Sequence, residues 1–310
     1  MSERSTGEGL HDRSAFGPGP AEPQDSTEAV LPTVDAGWLR VGGRTHAMTL
    51  PSFDVNVGLV IGDERALLVD TGSGPADAAR IHAAVREVTD LPLVVVNTHA
   101  HADHFFGNAY FAAQGVEEFW AHAGAAAAME AAGESQRALV RTADPAMAAA
   151  DGEHTGLHLP THLVRDEPVD IDLGGHTVTL FHLGQGHTDG DLLVGSDSVL
   201  FAGDLVEEGG HPSFEDSYPY EWRKTLGKII AIDELYSEIV PGHGRLVDPD
   251  FVRSQLKNLR QAIRTCTTAI HEASVDYTKA VPVLPYGPVQ SRHLIIRLKE
   301  TEPGNVVPPH

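Results

Sequence analysis

Short apolar runs recur along the chain, and most of them end in glycine, proline or an acidic residue. The run 93–96 is typical, because it is aliphatic, mostly β-branched, and bounded by Pro92 and Asn97. Such runs predict short strands that are buried on both faces. Segments with apolar residues three and four positions apart, such as 75–89, predict helices. Strands and helices that follow one another in this way indicate an α/β protein.

The polar and irregular stretches divide the chain into parts. Residues 1–32 are rich in glycine, proline, serine and acidic groups, which predicts a disordered tail. The stretch 133–165 is the least regular, and its scattered histidines lack a metal-ligand spacing, which predicts a lid-like insert. Residues 281–310 are a proline-containing extension with one β-like run at 294–298. Strands are predicted at 55–62, 66–70, 93–96, 118–121, 168–173, 176–182, 191–194, 199–201 and 238–240, and helices at 75–89, 105–114, 123–132, 219–235 and 249–276.

Composition narrows the class of protein. The 310 residues, 41% of them hydrophobic, suffice for one large domain or two smaller ones. A net charge of -22 argues against nucleic acid and against anionic membranes as partners. Cys266 is the single cysteine, which excludes an intrachain disulfide and a cysteine-rich metal site. No apolar run approaches about 18 residues and no signal-peptide pattern opens the chain, so we expect a soluble cytoplasmic protein.

The most informative stretch is the segment 98–104, which reads Thr-His-Ala-His-Ala-Asp-His. It follows the predicted strand 93–96, at the strand end where α/β proteins usually place ligand sites. Alternation in an extended loop would direct His99, His101 and Asp103 to one side and His104 to the other. A cluster with two directions can serve two metal ions. Neutral imidazoles combined with a carboxylate suit zinc, iron, manganese or nickel.

Further polar residues follow other predicted strands. Asp204 follows the predicted strand 199–201 after Ala202 and Gly203, and His187 and His243 lie in glycine-flanked loops. Asp70 ends a buried strand, where a carboxylate needs partners, so we expect it to brace the metal loop from a second layer; a plain turn-capping role is the alternative. His211 follows Asp204 closely and is a candidate substrate contact, although a loop histidine without a role is an equal alternative.

The order of these motifs resembles the metallo-β-lactamase superfamily, over roughly residues 33–245. The resemblance implies a four-layer αβ/βα sandwich over 33–280, with two facing sheets, helices outside and a dinuclear site at one edge. It also implies the ligands: His99, His101 and His187 for the first metal, and Asp103, His104 and His243 for the second, with Asp204 bridging both.

This ligand set is similar to that of the glyoxalase II and general hydrolase branch. The sequence segments around the ligands are similar to those of bacterial quinoprotein-relay or sulfur-oxidation-associated metallohydrolases. The resemblance implies two Zn²⁺ ions, with iron or manganese as substitutes. It implies hydrolysis of an ester, thioester or amide-like bond in a small molecule by a metal-bridging hydroxide. Asp103, with a spare oxygen, would orient that hydroxide and move its proton.

Three alternatives stay open. A persulfide dioxygenase of the same superfamily holds a single iron and keeps the same histidine-rich loop, so metal identity separates it from a zinc hydrolase. A β-lactamase-type amide hydrolase is less favoured, because the chain shows no secretion signal. An inactive metal-binding module is less favoured because all seven ligand positions are filled. The sequence carries no signal for the oligomeric state.

Overall fold

The computed structural model describes residues 34, 35, 37–271, 281 and 283–301, and the predicted tail 1–32 lies outside the described residues. Two β-sheets pack face to face, and helices cover the outer face of each sheet. This arrangement confirms the predicted four-layer α/β sandwich. None of the helices in the described part of the chain combines the length and apolar character that crossing a membrane requires.

The first sheet has eight strands that lie in sequence order. Neighbouring strands are antiparallel from the first to the fifth and parallel from the fifth to the eighth. The strands are β1 Val34–Asp35, β2 Trp38–Arg40, β3 Thr45–Thr49, β4 Asn56–Ile61, β5 Ala66–Val69, β6 Leu93–Val96, β7 Phe119–His122 and β8 His162–Val164.

The second sheet has five strands in the order β13-β12-β11-β10-β9. Its neighbours are antiparallel, except that β12 and β13 run parallel. The strands are β9 Val169–Asp172, β10 Thr177–Phe181, β11 Leu193–Ser196, β12 Val199–Gly203 and β13 Glu238–Pro241. The parallel pair ends at the same edge of the sheet, so the loops that follow β12 and β13 lie side by side.

Helices form the outer layers. Apolar residues of α1 and α3 pack on the first sheet, and those of α6, α7 and α8 pack on the second. The helices are α1 Pro75–Val88, α2 Ala102–Phe105, α3 Asn108–Ala113, α4 Ala123–Ala132, α5 Pro145–Ala149, α6 Pro219–Ile230, α7 Pro249–His271 and α8 Gly287–Glu300; Gly133–Val140 is a 3-10 helix.

The strands are uniformly apolar because both of their faces are buried. In β5, Leu67 and Val69 point to the second sheet, whereas Ala66 and Leu68 point to the helices. The alternation of side chains across a strand therefore supplies two cores at once. This burial explains why the sequence pattern predicted β6 to the residue.

Gly58 in β4 faces Phe201 of the second sheet at close range. A β-carbon at this position would lie 2.4 Å from the Cε1 atom of Phe201, a buried residue of β12. We expect Gly58→Ala to lower the free energy of unfolding by about 1–3 kcal/mol through overpacking. Urea denaturation measures this effect. Gly156→Ala is the control, because nothing lies within 4 Å of its β-carbon position; equal stability of the two variants would contradict the prediction.

Two sequence predictions are wrong in detail. The predicted helix 105–114 is two short helices, because the chain at Gly107 bonds to Gly72 and passes close to the Thr71 carbonyl. The stretch 133–165 contains a 3-10 helix, helix α5 and edge strand β8, and its lid-like role stays a prediction. The β-like run 294–298 belongs to helix α8, whose residues Leu294, Ile295 and Leu298 pack into the core with α6 and α7.

Candidate metal centre

Four chain segments bring histidines and carboxylates together at one edge of the sandwich. The segment after β6 carries His99, His101, Asp103 and His104, and the loops after β10, β12 and β13 carry His187, Asp204 and His243. They form two groups that could each hold a metal ion: His99, His101, His187 and Asp204, and Asp103, His104 and His243. Within each group, one ligand atom per residue lies within 4.8 Å of the others.

The first group directs three imidazole nitrogens toward one point. The Nδ1 atom of His101 lies 3.1 Å from His99 Nε2 and 2.9 Å from His187 Nε2. Ligand atoms around a tetrahedral zinc ion, with Zn–N distances of about 2.0–2.1 Å, lie about 3.3 Å apart. The spacing of these nitrogens therefore fits a tetrahedral cation with three histidine ligands.

Asp204 touches both groups. Its Oδ2 atom lies 3.4 Å from His187 Nε2 and 3.3 Å from His243 Nε2, and its Oδ1 atom lies 3.3 Å from His104 Nε2. His104 Nε2 and Asp204 Oδ1 are both buried and lack a well-formed hydrogen bond. Because buried polar atoms without partners are costly, a cation between the two groups would satisfy both atoms.

The second group corrects the predicted direction of Asp103. In an extended loop Asp103 would share a side with His99 and His101, but the chain enters helix α2 at Ala102. Each residue of a helix turns by about 100°, so the alternation of an extended chain is lost. Asp103 Oδ2 instead lies 3.4 Å from His243 Nε2 and belongs with His104.

Four of the five imidazoles form a hydrogen bond through the second ring nitrogen. Such partners fix the tautomer and the ring orientation of a metal-binding histidine. The Nδ1–H group of His243 donates to the Phe53 carbonyl at 2.8 Å. The four pairs are His99 with Thr98, His101 with Asp216, His104 with Asp70, and His243 with the Phe53 carbonyl. The fifth imidazole, His187, has the Glu207 carboxyl 3.6 Å from its Nδ1 atom, which is beyond hydrogen-bond distance.

Asp70 ties the loop after β6 to the end of β5. Its Oδ1 atom accepts a hydrogen bond from the Thr98 backbone N–H at 2.8 Å. Its Oδ2 atom accepts from the Thr98 hydroxyl and from His104 Nδ1, both at 2.8 Å. Asp70 is buried and has a φ angle of 62°, a left-handed conformation that Asp and Asn tolerate better than most residues. The contacts support the predicted bracing role of this carboxylate.

We expect Asp70→Asn to weaken metal binding by about 10- to 100-fold, the usual cost of losing an outer partner of a histidine ligand. The amide keeps the size and the left-handed backbone, but its single oxygen cannot accept from both the Thr98 backbone N–H and His104 Nδ1, which bond to different oxygens of Asp70. A competition titration with a chromophoric chelator measures the affinity, and circular dichroism checks the fold. A folded variant with affinity within about twofold of the parent would show that Asp70 only caps the turn.

The protonation of the histidines suits a cation. Burial lowers the pKa of His99 well below its usual value and that of His187 to about 4, so both are neutral at pH 7, as ligands must be. Burial is the largest single influence on His104 and His243 and opposes their charge, but Asp204 and the neighbouring carboxylates together outweigh it and raise both pKa values, that of His243 to about 9. The carboxylates therefore attract positive charge, which a divalent ion would supply in place of those protons.

A cavity of about 630 Å³ opens above these residues. His101, Asp103, His187, Asp204 and His243 contribute to its lining. The structure does not bring His211 to the cavity: its ring centroid lies 6.5 Å from that of Tyr286 instead.

Two acidic residues near the centre were not predicted from the sequence. Glu207 lies with Oε1 3.6 Å from His187 Nδ1, and burial raises its pKa to about 8. Its position three residues after Asp204 was the only available signal. Asp216, which accepts from His101 Nε2 at 3.0 Å, gave none, because it reaches the centre from 115 residues away in the chain.

Comparison with known proteins identifies the family. The sequence model of the metallo-beta-lactamase superfamily matches residues 50–243, a segment that carries all seven ligand candidates. The chain belongs to the metallo-beta-lactamase superfamily. Members of this superfamily usually bind metal ions, and the two histidine–carboxylate groups could hold them. The chain is accordingly a metallo-beta-lactamase superfamily hydrolase.

Two mammalian relatives and two solved structures are similar to this superfamily member. Acyl-coenzyme A thioesterase MBLAC2 of Homo sapiens is 29% identical over 213 residues, and that of Bos taurus is 30% identical over 218; each match covers 61% of this chain and 72% of the relative. DIM-1 metallo-beta-lactamase shares the fold with a TM-score of 0.54 and 18% identity, over 72% of this chain and 96% of that one. A metallo-beta-lactamase from Pontibacter korlensis also shares the fold, with a TM-score of 0.54 and 19% identity. That match covers 72% of this chain and 98% of the other.

Proposed function

We propose that this protein is a dinuclear metal-dependent hydrolase that cleaves thioesters of small molecules. The observation that carries the proposal is the convergence of seven ligand candidates into two groups that share Asp204 beneath a cavity. The reaction class is supported by the thioesterase name of relatives about 29–30% identical to this chain. Esters remain within the same chemistry, because their carbonyl is attacked in the same way.

Two zinc ions are the proposed cofactors. His99, His101 and His187 would hold one ion, Asp103, His104 and His243 the other, and Asp204 would contact both. Imidazole and carboxylate ligands suit zinc, and they also accept iron or manganese. When bound, such ions supply Lewis acidity, which stabilises charge on a carbonyl oxygen and lowers the pKa of water toward about 7.

The residues of the chain would orient the reactants and move one proton. Asp103 lines the cavity, and about a fifth of its side chain is exposed (21%), so its free oxygen can reach the attacking water. Hydrolysis forms a bond from the water oxygen to the acyl carbon and breaks the carbon–sulfur bond. Asp103 accepts the proton of the water and returns it to the leaving sulfur, giving a carboxylic acid and a thiol.

The walls of the cavity favour an uncharged acyl group. Five carboxyl groups line it besides the ligand candidates, and no lysine or arginine does so among the described residues. Glu207 is mostly uncharged at pH 7, because burial raises its pKa to about 8, so the other four supply the negative charge. The apolar part of the wall includes Phe53 and Leu139, whose side chains are largely exposed. The lining carboxyl groups are those of Asp54, Glu207, Glu208, Glu215 and Asp216. An acyl chain with its own carboxylate would meet like charges in a partly desolvated space.

We therefore expect the zinc-loaded protein to hydrolyse the butyryl thioester of N-acetylcysteamine at least about tenfold faster, in kcat/KM, than the succinyl thioester. The two substrates share a neutral leaving group and differ in the charge of the acyl end. The matched oxoester and a β-lactam are tested as further substrates, which completes a panel of four compounds. Removal of the metal with a chelator should abolish turnover, and added zinc should restore it.

Three results would each replace or contradict this proposal. One iron per chain, with oxygen consumption on a glutathione persulfide, would replace it with a dioxygenase. Faster turnover of the β-lactam than of any thioester would favour an amide hydrolase. Two bound zinc ions without turnover of any member of the panel would count against a thioester or ester substrate.

A further inference from the structure

A second groove lies between helices α6 and α7, away from the metal centre. Its volume is about 840 Å³, within the range of small-molecule sites. It shares no lining residue with the catalytic cavity. The lining residues are Arg223, Gly227, Ile230, Arg253, Leu256, Lys257, Arg260, Gln261 and Arg264.

The charge of this groove is opposite to that of the whole chain. The chain carries 44 acidic residues and a net charge of -22. Five of the nine lining residues are nevertheless lysine or arginine, and none is acidic. These five account for nearly a quarter of the 22 basic residues in the sequence.

Four of these cations form one stripe along α7. Arg253, Lys257, Arg260 and Arg264 recur at intervals of four, three and four residues, which places them within an arc of about 60°. The stripe is about 16 Å long at 1.5 Å per residue. Like charges at these spacings repel one another on a helix. An anion bound in the groove would be attracted to all four cations and would offset their mutual repulsion.

Only part of the positive charge in the groove is neutralised by acidic residues of the described chain. Arg253 pairs with Asp233 and Asp250. In the part of the chain that the structure describes, the side chains of Lys257, Arg260 and Arg264 make neither a hydrogen bond nor an ion pair. All three are exposed, so their charged groups are accessible to a ligand.

The floor of the groove is shaped for contact. Gly227 lies in the interior of α6, where glycine costs helix stability, and nothing lies within 4 Å of its β-carbon position. The missing side chain opens the groove beside Ile230 and the buried Leu256. A flat apolar group can therefore lie on the floor while the cations hold the charged end.

We propose that the α6–α7 groove binds a soluble small molecule that carries two or more phosphate groups and an apolar or aromatic part, as a nucleoside diphosphate does. Three of the four stripe cations are arginines, whose planar forks match phosphate oxygens. The stripe is too short for a long nucleic acid, and the acidic remainder of the chain would repel one. The proposal does not depend on the catalytic function proposed above.

The test is isothermal titration of the full chain with ADP and with inorganic pyrophosphate at low salt. We expect Lys257→Gln combined with Arg260→Gln to weaken ADP binding at least about tenfold. Lys224→Gln is the matched control, because Lys224 lies on α6, is exposed, pairs with Glu221 and does not line the groove. This control should bind ADP within about twofold of the parent.

Two further variants test the floor of the groove and the location of the bound phosphates. Gly227→Leu fills the floor without changing the charge, so it should weaken the binding of ADP more than the binding of pyrophosphate. ADP binding should be unchanged in the Asp204→Ala background, where phosphate can no longer reach a bound metal ion. Absence of ADP binding to the parent, an equal loss in Lys224→Gln, or loss of binding in the Asp204→Ala background would each overturn the proposal.

Discussion

Asp204→Ala is expected to lose the metal ions of both groups. The carboxylate contacts His187 and His243 through one oxygen and His104 through the other, so its removal takes a ligand from each group at once. Loss of an outer partner alone typically costs about 10- to 100-fold in affinity or activity, so kcat/KM should fall by more than about 100-fold. Metal analysis after gel filtration and the thioester assay measure the two effects.

The stoichiometry distinguishes a bridging carboxylate from an ordinary ligand. His187→Ala should lose one ion per chain, because His187 belongs to the first group alone, whereas Asp204→Ala should lose two. Asp90→Ala is the control: it is exposed and precedes β6, at the opposite end of that strand from the histidine-rich segment. Retention of one tightly bound ion by Asp204→Ala would show that the carboxylate serves a single group.

The local pattern of the sequence was sufficient for most of the fold. The strand Leu93–Val96 and the helix Ala123–Ala132 agree with the prediction to the residue, because each is set by a short run with its own boundaries. The failures arise where distant contacts decide. The run 294–298 is apolar enough for a strand, but packing against α6 and α7 selects a helix.

The candidate site shows the same division. The ligand residues could be predicted from the sequence, because the histidines and carboxylates come after predicted strands and occur in the order typical of a known family. The side that Asp103 faces was not, since it depends on the single turn of α2 that begins at Ala102. The role of Asp216 could not be predicted for a different reason. Only the folded chain brings its carboxylate within 3.0 Å of His101 Nε2.

Glycines at the centre carry information that the motif alone does not explain. Gly242 precedes His243, and a β-carbon on it would lie 1.8 Å from Asp204 Oδ1. The backbone cannot move away, because the Gly242 N–H donates to the carbonyls of Gly203 and Val206, on either side of Asp204. Any side chain at Gly242 therefore displaces the shared carboxylate.

Gly242→Ala is therefore expected to expel Asp204 from its position, with loss of metal and a fall in kcat/KM of more than about 100-fold. Overpacking should also lower the free energy of unfolding of the metal-free protein by about 1–3 kcal/mol. Urea denaturation with chelator present and metal analysis measure the two effects. Gly156→Ala, whose β-carbon meets nothing within 4 Å, should leave both unchanged.

A double-mutant cycle separates this clash from a general effect of the added methyl group. In the Asp204→Ala background the carboxylate is gone, and most of the stability loss from Gly242→Ala should disappear with it. The remaining loss would reflect the Asp204 backbone nitrogen, which lies 2.9 Å from the β-carbon position. Additive losses in the cycle would mean that the methyl group acts elsewhere, and that the geometry of Gly242 does not hold the shared carboxylate in place.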